Sequence, residues 1–171
     1  MIFDIRRNEG FSLLEVLIAL FLMSVALLGT AGMQVYALKV TQGGQFRAQA
    51  VVLGADLMER LEANNAGAVA GSYVATLPTS TTAPDCTTSS CAPSQMAIYD
   101  LDQSQQNLAR QLPAATATIT MTGAGPFVYT LTVSWQERSF KSRSSTTSSQ
   151  SATESFSYTV SRTVYNRAAV I

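Results

Sequence analysis

Glu15 is the residue whose setting demands a chemical explanation. Between Phe11 and Val35 it is the only ionisable side chain, and residues 16–28 contain a single polar residue, Ser24. A carboxylate inside an apolar helix costs roughly 2.5–3.5 kcal/mol on membrane-insertion scales. Something must neutralise it. Cleavage of the Gly10–Phe11 bond would create an α-amine at Phe11, four residues before Glu15, and such an amine could do so.

The remaining chemistry-bearing residues are sparse. The chain has no His, which removes the commonest metal ligand and the commonest acid–base group at neutral pH. No Ser/Lys or paired-carboxylate arrangement has motif support. Asp100 and Asp102 read as helix-surface charges. No enzyme activity and no cofactor are expected. Cys86 and Cys91 have four residues between them. In an exported domain such a pair favours a disulfide, while a metal site is disfavoured by the absence of His and of a second Cys pair. Eleven Lys+Arg balance eleven Asp+Glu, so electrostatic attraction to nucleic acid is not expected.

The apolar run around Glu15 must position it. A bilayer core takes about 20 apolar residues as helix, and this run is long enough. Arg6 and Arg7 precede it and no Lys or Arg follows until Lys39. That bias places the N-terminus in the cytoplasm and the rest outside. Three readings compete. One is a secretory signal peptide cut after Ala31, and another is an uncut signal anchor. The third is a leader cut before the apolar run, which leaves the run in the product. Glu15 decides for the third, because neither of the others has a use for a carboxylate there.

The order Gly10-Phe11-Ser12-Leu13-Leu14-Glu15-Val16-Leu17-Ile18-Ala19-Leu20 closely resembles the N-terminus of the type IV pilin and pseudopilin superfamily. The resemblance runs from Arg6 to about Leu28. It implies that Gly10 is read by a prepilin peptidase and that Phe11 becomes an N-methylated N-terminus. It also implies that Glu15 pairs with the amine of a neighbouring subunit as helices pack into a filament.

The next Pro is Pro78, so one helix is expected from about Ser12 to Asn64, roughly 80 Å at 1.5 Å per residue. Phe46, Ala50, Leu53, Leu57 and Leu61 form one stripe along its second half, facing a globular head. Asp56 and Arg60 are four apart and suited to pair. Asn64, Asn65 and Gly67 stop the helix. Residues 66–92 read as a loop with a short apolar patch at 73–77. Pro93 opens a second helix on which Met96, Tyr99, Leu101, Leu108 and Leu112 recur, ended by Pro113. Two alternating runs, 116–122 and 127–135, flank a Gly/Pro turn and read as a hairpin. A third strand is expected at 155–165, after a Ser/Thr-rich loop at 139–155.

The fold class expected is α+β and pilin-like, a long N-terminal helix packed on a small antiparallel sheet with a second helix. The organisation expected is a removed leader (1–10), a transmembrane assembly segment (11–35), an amphipathic continuation (36–65) and a periplasmic head (66–171). Residues 55–65, Gly71, Tyr73, Cys86, Cys91, Ala97, Tyr99, Asp100, Leu112, Pro113 and Thr132 to Trp135 are similar to the PilV-type minor pilins, the type IV pilus modification proteins. That resemblance implies a structural subunit that starts or caps pilus assembly and so serves twitching motility and adhesion. The alternative is a minor pseudopilin of type II secretion. The implied partners are other minor pilins, the major pilin, the inner-membrane assembly platform and the prepilin peptidase. The implied location is the bacterial inner membrane and then the pilus.

Overall fold

The computed structural model describes residues 12–138 and 153–167. Gly10 and Phe11 lie outside the described residues, as does 139–152 of the expected Ser/Thr-rich loop. The chain forms two compact units, 1–42 and 43–171.

The first unit contributes one helical segment. It is the start of α1 (Leu13–Ala63), and every described side chain of residues 12–42 is exposed. A helix that is apolar all round belongs in a membrane or among other helices. The hydropathy of this one, 2.4 over its most apolar window, and its length suffice for crossing a membrane.

The second unit begins within α1 and continues through α2 (Asn65–Val69), β1 (Ala75–Leu77), α3 (Pro93–Gln111), β2 (Thr116–Thr122), β3 (Phe127–Arg138) and β4 (Thr153–Val164). The sheet runs in the order β1-β2-β3-β4 and every neighbour is antiparallel. This is the α+β arrangement expected, with one strand more. The patch read as loop supplies β1, where Ala75 faces Ile119 and Leu77 faces Ala117 across the pairing with β2. Three residues are too few for alternation to register as a strand in sequence.

The α1 stripe buries Ala50, Leu57 and Leu61, with Phe46 and Leu53 at its margin. Gly54 and Met58 are buried beside it. Gly54 lets α1 come close to the sheet, since a Cβ there would stand 3.1 Å from the Tyr158 ring and 3.6 Å from Leu131. From the sheet come Ala117, Ile119, Tyr129, Leu131, Val133 and Trp135, all buried. Each large apolar side chain so covered stabilises the fold by about 1.5–3 kcal/mol. Trp135 is a packing residue. Its ring stacks on Phe156 at 6.2 Å and its Nε1 donates to Glu137 at 2.7 Å.

The expected helix stop at Asn64 holds. Asn64 then caps the short α2, its side-chain oxygen accepting from the Gly67 N–H at 3.3 Å. At the start of α3, Pro93 occupies the first turn, where a missing N–H costs nothing. The Ala92 N–H donates to Gln95 Oε1 at 3.0 Å.

Candidate assembly helix and the polar cluster of the head

Glu15 lies in the first turn of α1. There the helix dipole favours a negative charge, while the surrounding side chains do not. Leu14, Leu17 and Phe21 are each about two-thirds exposed. The hydroxyls farther along are satisfied within the helix. Ser24 donates to the Phe21 carbonyl at 2.7 Å and Thr30 to the Leu27 carbonyl at 2.9 Å. An apolar surrounding requires this of every polar group. Glu15 is therefore the one ionisable group on residues 12–35, a stretch of α1 otherwise prepared for an apolar environment. A cationic partner would satisfy it.

In the head, the end of α1, the segment before β1 and the start of α3 meet at a polar cluster. Tyr73 Oη donates to Asp100 Oδ2 at 2.6 Å. Asn64 Nδ2 donates to Tyr73 Oη at 3.1 Å and to the Pro93 carbonyl at 2.7 Å. Arg60 pairs with Asp56 at 2.8 Å, the expected i,i+4 contact, and reaches Asp100 at 3.5 Å. Gly67 closes the cluster from below, because a Cβ there would fall 2.5 Å from Asn64 Nδ2 and 2.8 Å from the Pro93 carbonyl oxygen. Burial, helped by the Asp100 carboxylate, holds the Tyr73 phenol above its ordinary pKa. The hydrogen bond that Arg60 donates to Asp56, foremost, raises the pKa of Arg60.

Asp100 is thus corrected from a surface charge to a buried one, its side chain 8% exposed. Asp102 is the carboxylate nearer the surface, and it accepts from Gln106 at 2.8 Å. The signal for Asp100 was its spacing. It shares the buried face of α3 with Ala97, Leu101, Ser104 and Leu108. A recess of about 380 Å³ opens over the cluster, lined by Arg60, Asn64, Cys91, Met96 and Asp100 among others. Both Asp100 oxygens accept, one from the Tyr73 hydroxyl and one from Arg60. The cluster serves to staple three elements. Among the described residues, no group of three His, Cys, Asp or Glu side chains could hold a metal ion.

Cys86 and Cys91 are joined by a disulfide, with Cα atoms 5.5 Å apart. The loop is also tied from within. Asp85 accepts from the Thr87 N–H at 3.0 Å and from the Thr87 and Thr88 hydroxyls at 2.6 Å. These bonds, the Thr87 hydroxyl foremost, lower the Asp85 pKa to about 2. Cys91 directly precedes Ala92, which caps α3, so the disulfide fixes the approach to that helix.

Residues 5–31 match the prokaryotic N-terminal methylation motif, and residues 32–102 match the family described as type IV pilin Tt1218. No curated protein and no solved structure matches the chain. The two family matches support the type IV pilin superfamily and a pilin or pseudopilin structural subunit. The methylation motif implies processing by a prepilin peptidase and assembly with other pilins. With its long apolar N-terminal helix and small four-stranded antiparallel sheet, the chain has a pilin-like α+β fold.

Proposed function

We propose that this chain is a minor pilin of a type IV pilus, a structural subunit that primes or caps pilus assembly. Glu15 carries the reading, as an isolated carboxylate on an apolar helix, within a methylation motif, four residues after Gly10–Phe11. In this account the prepilin peptidase removes residues 1–10 and Phe11 is N-methylated. Residues 11–35 then hold the subunit in the inner membrane, with residues 36–65 and the head on the periplasmic side. The Arg6/Arg7 bias supports that orientation. The Phe11 amine of one subunit neutralises Glu15 of the next as the helices pack.

The minor-pilin assignment draws on the head. Tyr73, Asp100, Cys86 and Cys91 are among the residues similar to the PilV-type proteins. Three of the four lie in the cluster or directly before the α3 cap. Its partners would be the major pilin, other minor pilins and the assembly platform.

Deletion of the gene tests this. Loss of surface pili and twitching with exoprotein secretion spared is the expected outcome. Intact pili with secretion abolished would assign the chain to a type II secretion pseudopilus instead.

A further inference from the structure

We draw no further inference here: the strongest candidate, the recess of about 360 Å³ between the free edge of β1 and α3, lined by Val74, Thr76, Ile98, Asp102 and Gln105 among others, carries nothing, because nothing in the structure shows what covers it.

Discussion

Asp100 and Glu15 are two carboxylates resolved by opposite means. Asp100 is buried and fully partnered by Tyr73 and Arg60. Asp100→Ala would leave the Tyr73 hydroxyl and the Arg60 guanidinium short of an acceptor. The expected loss is about 2–3 kcal/mol, the cost of leaving buried polar groups unsatisfied, read as a lower midpoint in urea. The Tyr73 phenol adds a pH dependence. Its pKa is raised in the fold above the value near 10 of a free phenol. The stability it contributes is fully present below pH 10 and is lost as pH climbs through the higher folded value. Tyr73→Phe should remove that alkaline slope, and a pH series of thermal midpoints checks it. Asp85 runs the other way. Its pKa is depressed to about 2, so its hold on the disulfide loop is present above its ordinary value of 3.8 and is lost as pH falls through 2. Amide exchange at Thr87 should accelerate over that range. Glu15 was legible in the sequence because it contradicts its neighbours. The burial of Asp100 could have been read from its spacing on α3, but its partner could not, because Tyr73 lies 27 residues away.

At the level of elements, α1 meets the sheet where a glycine lets it approach. Gly54→Val would drive a branched side chain into Tyr158, whose ring leaves a Cβ only 3.1 Å. Overpacking of this kind costs about 1–3 kcal/mol. An unchanged denaturation midpoint would contradict the observed packing. The Cys86–Cys91 loop closes over a separation of 5 residues, for which chain entropy gives about 2 kcal/mol. Reduction should therefore leave the head folded while loosening the entry to α3. Loss of all cooperative unfolding would contradict that. The β2–β3 hairpin could be read directly, since Thr116 to Thr122 and Phe127 to Trp135 alternate around a Gly/Pro turn. The α1 stripe was legible for the same reason, apart from Gly54 and Met58. A glycine contributes no hydrophobic signal, and its place on the buried face comes from what the sheet puts opposite it. Strand β1 was missed because only pairing with β2 makes Ala75 to Leu77 a strand.

On the scale of the whole molecule, the division falls between an apolar segment whose described side chains are exposed and a head with its own core. Such a segment needs lipid or other helices around it, and on the proposed function Glu15 would select the second environment once an amine is available. Replacement of Glu15 by Leu should leave the chain in the membrane fraction and processed, yet absent from sheared pili. The arrangement of long helix and sheet was readable from periodicity and the leader motif, whereas the strand registers appear only in the folded sheet. The central claim is that Gly10–Phe11 is cut and the apolar helix kept. Intact mass and N-terminal sequencing of the protein from membranes test it most directly. The account predicts a chain that starts at N-methylated Phe11. A chain that starts at Gly32, or one that retains residues 1–10, would contradict it.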